Sequence, residues 1–447
     1  MRTKIIYASD HAVLDSNVYT GGGTDDTVAL QTILDKALEF GGVHLIMDGA
    51  ALITGLRLHS NTTIECLNKD CGFFLKDNSN CAVVENNDID YVTIQNKNIT
   101  LLGGTYNHNF RGQLHHVKSP DDKHIFGGQK NENQIVWVIA MQFIGIENLL
   151  MRDITIRNQR TFTMLASNFK YVTIENVIID LPDKAYGENQ DGLHFWGPGQ
   201  FLTIKNISGD AGDDFIALAP DEHDGASSIT DVLIDNVMLD HADQAIRLLS
   251  QNKGRLDRVI IRNVTGVYRS FGFYINSWVS GKTCGNFGNI QFENIDLRPE
   301  APNYTYRTPF LFQVGGHIEH LTFRNIHDHY SEHQRVLFEF SSPFYTWKQD
   351  ECRTRIDELT IDGFTMLQKN ALSISPILID ADIGRMNMRN LDANIHTPSN
   401  IPMIAFGPYG RVGTMMIHGV TTNGVKVLTA PVKKVVEHIK ICCSHII

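Results

Sequence analysis

The sequence predicts an all-β chain that folds as a single-stranded, right-handed parallel β-helix with an N-terminal capping helix. A six-residue motif (apolar, any, apolar, any, Asn, apolar) recurs at intervals of about 30 residues over most of the chain. Its copies alternate with period two and are rich in Val, Ile, Thr and Phe, which is typical of strands. Repeats of this length that stack on identical neighbours bury one continuous core and form a solenoid.

The motif asparagines predict one bend of every coil. Side-chain amides on stacked parallel strands lie about 4.8 Å apart, close enough to hydrogen-bond as a ladder. Most repeats also contain a second short apolar strand after the motif, for example at 192–196 and 214–218. Six consecutive repeats supply the ladder residues Asn176, Asn206, Asn236, Asn263, Asn294 and Asn325.

Ahead of the repeats, the sequence predicts a helix at about residues 25–40. Leu30, Leu34 and Leu38 follow the i, i+4 spacing of a helix, and Gly41-Gly42 mark its end. We expect this helix to cover the open N-terminal end of the stacked strands, because an uncovered end would template aggregation.

The repeats predict one domain, with residues 1–44 as the cap and about 45–447 as the coils. The stretch 105–134 is long, polar and rich in Gly, His and Lys, which predicts a loop that leaves the helix body. The sequence leaves open whether this loop covers a site. The adjacent His115 and His116 are interpreted as surface residues of this loop rather than as metal ligands.

Charge and composition exclude several classes of partner. The 447 residues include 39 basic and 50 acidic side chains, a net charge of −11, with no run of Lys or Arg. Nucleic acid and anionic membranes are therefore poor partners. The longest apolar run is shorter than the roughly 20 residues of a membrane span. The N-terminus has no signal-peptide core, which predicts a cytoplasmic protein unless a leader has been removed, and the oligomeric state is left open.

Seven cysteines are scattered over the chain with no C-x-x-C pair and no matching histidine spacing. An odd number without metal-ligand spacing argues against a disulfide framework and against a zinc site. We therefore expect reduced core cysteines.

Three carboxylates are predicted to converge. Asp191 opens the second strand of one coil, and Asp213 and Asp214 open the same strand of the next. Carboxylates packed together raise one another's pKa, which costs stability. Such an arrangement therefore indicates a functional role. One such role is glycoside hydrolysis with inversion, in which one acid protonates the leaving oxygen and the others hold the attacking water. Solvated turn residues or a calcium site remain open alternatives.

The order of these motifs resembles glycoside hydrolase family 28, the polygalacturonase family. The residues that carry the resemblance are N-x-D-G at 189–192, G-D-D-x-I-A-L at 212–218, and G-x-x-D-D-T-x-A-L-Q ending at Gln31. The resemblance implies Asp213 as general acid, with Asp191 and Asp214 positioning the water. It also implies a metal-free, inverting enzyme that needs no cofactor and acts mostly on α-linked galacturonate in pectin.

The sequence departs from the family pattern where the family binds carboxylates. The usual G-H-G one coil after the aspartate pair is replaced by a stretch that carries Gln244. The usual R-I-K is replaced by Tyr274-Ile275-Asn276. We therefore expect an oligosaccharide with a neutral leaving sugar, imported into the cell, rather than plain polygalacturonate.

Strand alternation predicts the remaining substrate-binding residues. His194 and Trp196 are expected to face outward beside Asp191, as exposed groups that suit sugar stacking. The same alternation predicts that Tyr274, Asn276 and Trp278 face outward further along the chain. Asn189 belongs to the first aspartate motif, N-x-D-G. The full substrate-binding set is Asn189, His194, Trp196, Gln244, Arg247, Tyr274, Asn276 and Trp278.

Two other functions remain open on the sequence. A β-helix polysaccharide lyase would use Arg247 as its base and bind calcium at the aspartates. A non-catalytic, carbohydrate-binding β-helix of the tail-spike type would share the N-terminal G-x-x-D-D-T stretch. Fold does not decide between these functions, so the preference for an inverting glycoside hydrolase depends on the aspartate cluster.

Overall fold

Parallel β-strands make up most of the regular structure, and they pair with equivalent strands of neighbouring coils. The computed structural model describes residues 3–118, 135–185, 188–251, 253–276, 284–300, 310–328, 337–341, 353–397, 399–423, 425–428, 435–442 and 445–446. The described part of the chain forms two compact units, Met1–Ala217 with Glu222–Asp224, and Leu218–Asp221 with Gly225–Ile447. The strands of each unit form parallel β-helix coils, which confirms the predicted fold class. The expectation of one domain stays a prediction.

The first unit contains the strands Lys4–Tyr7, Val43–Met47, Ala50–Ile53, Leu56–Leu58, Thr62–Cys66, Gly72–Leu75, Val84–Asn86, Asn96–Leu102, Thr105–Asn107, His116–Lys118, Ile135–Trp137, Met141–Arg152, Thr155–Arg157, Met164–Asp180, Leu193–Trp196 and Gly199–Gly209. It also contains the α-helix Thr27–Phe40 and the short 3₁₀ helices Ala8–Asp10 and Phe110–Gly112. The chain passes from the first unit to the second within the strand Asp214–Ala219.

The second unit contains the strands Ile229–Leu249, Leu256–Asn276, Asn286–Pro299, Phe310–Val314, His317–Asp328, Phe338–Phe340, Arg355–Gln368, Ile377–Ile379, Asp382–Ile395, Ile404–Phe406, Arg411–Asn423, Val436–Cys442 and His445–Ile446. Phenylalanine rings stack in its core from coil to coil. The centroids of Phe273 and Phe312 lie 4.7 Å apart, and those of Phe312 and Phe338 lie 5.1 Å apart. Equivalent strand positions therefore become van der Waals neighbours, as the repeat predicts.

The predicted N-terminal helix is present as Thr27–Phe40 and packs against the strands Val43–Met47 and Leu56–Leu58. It ends at Gly41, whose φ of 78° lies in the left-handed region that favours glycine. Its buried side chains are Leu30, Ile33, Leu34 and Ala37. Leu38, the third leucine of the spacing, is 71% exposed. Positions four apart drift by about 40° around the helix axis at each step, which carries the third leucine off the buried face.

The predicted asparagine ladder forms within each unit. In the first unit the Asn206 amide donates to the Asn176 side-chain oxygen at 2.8 Å. In the second, Asn325 donates to Asn294 at 3.0 Å and Asn294 donates to Asn263 at 2.9 Å. These five residues have φ between 51° and 56°. Asparagine therefore serves twice, because it tolerates the left-handed bend and its amide links neighbouring coils.

The ladder also includes residues that the motif does not predict. Asn148 donates to Asn98 at 2.9 Å, and Asn98 donates to Asn61 at 2.7 Å, which extends the ladder toward the N-terminus. A carboxylate accepts at some rungs, as when Asn263 donates to Asp235 at 2.6 Å. Any short side chain with an acceptor oxygen can thus fill a rung.

The cysteines differ in part from the expectation. Cys66 and Cys71 are buried free thiols, and Cys81 is a half-buried free thiol whose pKa burial raises to about 11. Cys284 is disulfide-bonded, so the prediction of a reduced cysteine is wrong at this position. Disulfides persist mainly in oxidising compartments, and the cytoplasmic location stays a prediction. Among the residues described, no helix is long and apolar enough to cross a membrane.

Candidate active site

The two aspartate motifs lie on adjacent coils of the first unit. The Gly192 amide donates to the Asp214 carbonyl at 2.8 Å, and the Gly212 amide donates to the Gln190 carbonyl at 2.9 Å. Gly192 allows this close approach, since a Cβ there would lie 2.2 Å from the Phe215 carbonyl oxygen. These bonds bring Asp191 beside the Asp213-Asp214 segment.

The three carboxylates differ in exposure. Asp191 is 3% exposed and Asp214 is 2% exposed, whereas Asp213 is half-buried. Asp213 is therefore the carboxylate of the three that is most accessible to a bound molecule. Asp191 and Asp214 lie deeper, where their interactions with protein groups are less screened by solvent.

Asp191 is held by a histidine. His194 Nδ1 lies 2.8 Å from Asp191 Oδ2, and His194 Nε2 lies 2.8 Å from Glu222 Oε2. All three side chains are more than nine-tenths buried. Each imidazole nitrogen faces a carboxylate oxygen, so both nitrogens donate only when the ring is protonated.

The surroundings of His194 favour the imidazolium. Burial alone would lower its pKa, but the hydrogen bonds and charges of Asp191 and Glu222 outweigh burial and raise the pKa to about 10. The ring of Phe162 stacks on it at 4.4 Å and 4° between planes. The cluster of Asp191, His194 and Glu222 therefore contains one cation between two anions.

The expectation that His194 and Trp196 are exposed is wrong. They are 5% and 1% exposed, respectively. Trp196 Nε1 donates to Glu222 Oε2 at 2.9 Å. This bond allows the indole to be buried, because a buried indole N–H requires an acceptor. His194 is covered by Phe162 and Glu222. Both residues hold the carboxylate cluster in place.

Sequence reasoning missed Glu222 and Phe162. Glu222 belongs to the polar stretch Asp221-Glu222-His223-Asp224 that follows the Asp214–Ala219 strand. A charged run directly after a buried strand on the aspartate coil is the signal that could have found it. Phe162 gives no such signal, since a single aromatic residue before a strand is common in any core.

A cation near the Asp191 motif was also missed. Arg160 Nη1 donates to Glu188 Oε2 at 2.6 Å, and its guanidinium lies 4.6 Å from the centre of the Phe110 ring. Between the same two segments, Gln190 Nε2 donates to the Gln159 carbonyl at 3.0 Å. Arg160 therefore lies one coil before the segment that carries Asp191.

The remaining expected residue of the first unit is Asn189. It is half-buried and has a φ of 52°, in the left-handed region. Asparagine tolerates this backbone conformation better than most residues. The asparagine of N-x-D-G therefore has a conformational role in presenting Asp191.

The prediction that the stretch 105–134 leaves the helix body is wrong at its start, because Thr105–Asn107 is a coil strand that pairs with Thr155–Arg157. The described segments on either side of residues 119–134 form an antiparallel pair, His116–Lys118 with Ile135–Trp137. Trp137 packs edge-on against Phe162 at 5.1 Å, and His115 Nε2 lies 3.0 Å from the Glu188 carbonyl. These contacts place the paired segments beside the cluster of Asp191, His194 and Glu222. Residues 119–134 lie outside the described residues.

The other expected substrate-binding residues belong to the second unit. Gln244 pairs with Phe271 and Arg247 pairs with Tyr274 across adjacent strands. The Arg247 guanidinium lies 5.4 Å from the centre of the Tyr274 ring. Both Gln244 and Arg247 are half-buried.

Tyr274 and Asn276 are not exposed, which corrects the expectation from strand parity. Tyr274 is 1% exposed and stacks on Phe271 at 4.9 Å. Asn276 is fully buried and its amide donates to Gln313 at 3.4 Å. Both faces of this strand are covered, so alternation alone cannot identify a solvent face. Trp278 lies outside the described residues.

The clustering of possible metal-ligating side chains is known for the described ranges. There, no group of three or more His, Cys, Asp or Glu side chains is arranged to hold a metal ion. His115 and His116 lie side by side, with 3.3 Å between their Nδ1 atoms. His115 points to a backbone carbonyl, so it acts as a hydrogen-bonding residue of the loop.

The sequence matches the family model of the glycosyl hydrolases family 28 over residues 54–305, more than half of the chain. Among solved structures it is similar to the family 28 exopolygalacturonase of Yersinia enterocolitica, with a TM-score of 0.58 and 13% identity, covering 99% of this chain and 78% of that one. A polygalacturonase from Erwinia carotovora gives a TM-score of 0.43 and 14% identity, covering 87% of this chain and 95% of that one. No protein of curated function matches the sequence. The likeness to the Yersinia enzyme concerns the fold.

Proposed function

Because the chain belongs to the glycosyl hydrolases family 28, we propose that it is an inverting glycosidase in which Asp213 is the general acid and Asp191 and Asp214 position the water. One observation carries the proposal, namely the backbone hydrogen bonds that join the two aspartate motifs on adjacent coils. Inverting hydrolysis needs an acid on the leaving oxygen and a base on water at the opposite face of the sugar.

The exposure of Asp213 supports its role as the acid. A general acid must reach the glycosidic oxygen within hydrogen-bond distance, and Asp213 is the least buried of the three carboxylates. In this step its proton passes to the leaving oxygen as the glycosidic bond breaks. Asp213 is left as the carboxylate and is reprotonated before the next turnover.

The ion pair of Asp191 supports its role on the water side. The imidazolium of His194 favours the ionised form of a carboxylate 2.8 Å away. An ionised carboxylate accepts a hydrogen bond from water and takes its proton as the water oxygen attacks the anomeric carbon. Asp214 holds the same water from the adjacent coil.

The substrate that we propose is a short oligosaccharide with a neutral leaving sugar. The positions that match the family's cationic motif carry Tyr274 and Asn276, which have no charge to pair with a carboxylate. A buried carboxylate without a cation is costly. We therefore expect weak cleavage of plain polygalacturonate, and Arg247→Ala tests whether this arginine compensates.

The experiment is hydrolysis of a panel of neutral and uronate-containing oligosaccharides, followed by NMR of the fresh product. Inversion of the anomeric centre is expected for at least one neutral substrate. Asp213→Asn should lower turnover by about 10²- to 10⁴-fold, the usual contribution of general acid catalysis. Asp210→Asn is the matched control, because Asp210 is a nearby carboxylate that is paired with Lys184.

Each contrary result has a separate meaning. Retention of configuration would overturn the inverting assignment, because it requires a nucleophilic carboxylate at closer spacing. An unsaturated product that disappears on adding a chelator would identify a lyase. Oligosaccharide binding that is unchanged in Asp213→Asn, with no turnover by the wild type, would identify a binding protein. Efficient cleavage of polygalacturonate by Arg247→Ala would contradict the proposed substrate.

A further inference from the structure

A cavity of about 210 Å³ lies in the first unit, beside the carboxylate cluster. Its walls include Arg57, Glu85, Tyr91, Trp137, Gln142 and Trp196. Pockets for drug-sized ligands have volumes of about 300–1,000 Å³. The smaller volume here suits one sugar ring rather than a long chain.

Strand register relates this cavity to the proposed active site. Arg57 pairs with Glu85, Glu85 with Gln142, Gln142 with Leu165, and Leu165 with His194. These five residues therefore form one row along successive coils. With about 4.8 Å between strands, Gln142 lies about 10 Å from His194 along the row. Gln142 and Glu85, which line the cavity, thus lie on the same face of the coils as His194, on its N-terminal side.

Two half-buried aromatic walls of the cavity, Tyr91 and Trp137, are held in place by other rings. Tyr91 stacks on His223 at 3.8 Å and 17° between planes. His223 stacks on Trp196 at 5.4 Å and 16°. Trp137 is fixed edge-on by Phe162. Aromatic planes that are already ordered bind the apolar face of a sugar ring with little further loss of entropy.

The polar groups in the cavity carry no net charge. Arg57 Nε donates to Glu85 Oε1 at 3.1 Å, and Gln142 adds an amide. Sugar hydroxyls both donate and accept, so they match a carboxylate beside a guanidinium. A uronate ring would bring a second anion next to Glu85, while the available cation is already paired with it.

We propose that this cavity is a subsite for an uncharged sugar ring, and that Glu85 is the residue that selects against a uronate there. The proposal deepens the proposed function, on which it rests, by naming the class of sugar bound on the N-terminal side of the carboxylates. Trp196 links the two sites, since it lines the cavity and donates to Glu222. The subsite would thus position an oligosaccharide relative to Asp191.

The test is calorimetric binding of neutral and uronate oligosaccharides to the full chain carrying Asp213→Asn, which keeps bound substrate intact. Neutral oligosaccharides should bind more tightly than their uronate counterparts. Glu85→Gln should reduce this preference by at least about tenfold, the scale of one charge-assisted hydrogen bond. Trp137→Ala should weaken binding of both classes.

Glu65→Gln is the matched control, because Glu65 is also paired with a basic residue in the first unit, His44 at 2.8 Å, but does not line the cavity. A melting temperature close to the wild type shows that each variant is folded, and Glu85→Gln preserves shape if Trp137→Ala does not fold. An unchanged preference in Glu85→Gln would overturn the subsite. So would tight uronate binding that Arg57→Ala abolishes.

The two proposals fail in different ways. Binding that depends on Glu85 and Trp137 without any turnover by the wild type would retain the subsite and reject the glycosidase. Turnover that is indifferent to both residues would retain the glycosidase and reject the subsite.

Discussion

His194 Nδ1 lies 2.8 Å from Asp191 Oδ2, although strand alternation predicts that this histidine faces a substrate. Its other nitrogen faces Glu222, so the imidazolium joins a carboxylate of the aspartate motif to a carboxylate on a later segment. Buried charges of this kind persist only when they are paired and hydrogen-bonded. The ionisation of Asp191 therefore depends on two residues outside the aspartate motifs, His194 and Glu222.

Replacing His194 by Gln should lower turnover and shift its pH dependence. Gln can hydrogen-bond to Asp191 but carries no charge, so the ionised carboxylate loses its cation. We expect kcat/KM to fall by about 10²-fold, within the range of acid–base catalysis, and its acidic limb to move to higher pH. A pH–rate profile measures both effects.

A histidine with the same kind of partner supplies the control for this kinetic test. His44 lies 2.8 Å from Glu65 in the same unit, but both are partly exposed and lie away from the aspartates. His44→Gln should leave the profile unchanged. An acidic limb that stays in place in His194→Gln would show that the histidine has a structural role only.

His194 should also make stability depend on pH on the alkaline side. Its pKa in the folded protein, about 10, lies above the ordinary value of 6.5. Its contribution is therefore fully present below pH 6.5 and is lost as the pH rises toward 10, by on the order of a few kcal/mol. Urea unfolding between pH 6.5 and 9 should show this decline, and His194→Gln should flatten it. Equal slopes for the two proteins would contradict the assignment of an imidazolium.

His108 should have the opposite effect on the acidic side. It is fully buried, its Nε2 lies 3.1 Å from the Cys81 carbonyl, and burial lowers its pKa to about 4. The neutral ring is stabilising above pH 6.5, and stability is lost as the pH falls toward 4, by about 3 kcal/mol. Urea unfolding at pH 6.5, 5 and 4 measures this loss, and His108→Gln should reduce the pH dependence. A variant as acid-sensitive as the wild type would show that other groups control acid unfolding.

Asn294 tests the two roles of the ladder residues separately. Asn294→Gly removes its bonds to Asn263 and Asn325 but accepts a φ of 55° without strain. Asn294→Ala removes the same bonds and adds the cost of a left-handed alanine, about 1–2 kcal/mol. Thermal unfolding should therefore rank the wild type above Gly and Gly above Ala. Equal stability of the two variants would show that the bend relaxes when the amide is removed.

The fold and part of the site could be read from the sequence. The motif interval predicts the coils, and the recurring asparagines predict the ladder, because coil stacking converts a position in the repeat into a position in space. The same conversion brings Asp191 beside Asp213 and Asp214. Periodicity carries less information about exposure, and His194, Trp196, Tyr274 and Asn276 are buried where alternation predicts a solvent face.

The sequence by itself determined what repeats: the parallel β-helix, the bends occupied by asparagine, and the two aspartate motifs on adjacent coils. The tertiary structure alone decided what lies between the repeats, namely the pairing of His194 with Glu222 and the cavity between Glu85 and Trp137. The physical reason is that strand spacing and side-chain alternation are constant, so the paired strands follow from periodicity. The segments that join the strands vary in length and path, and their side chains find partners only through packing.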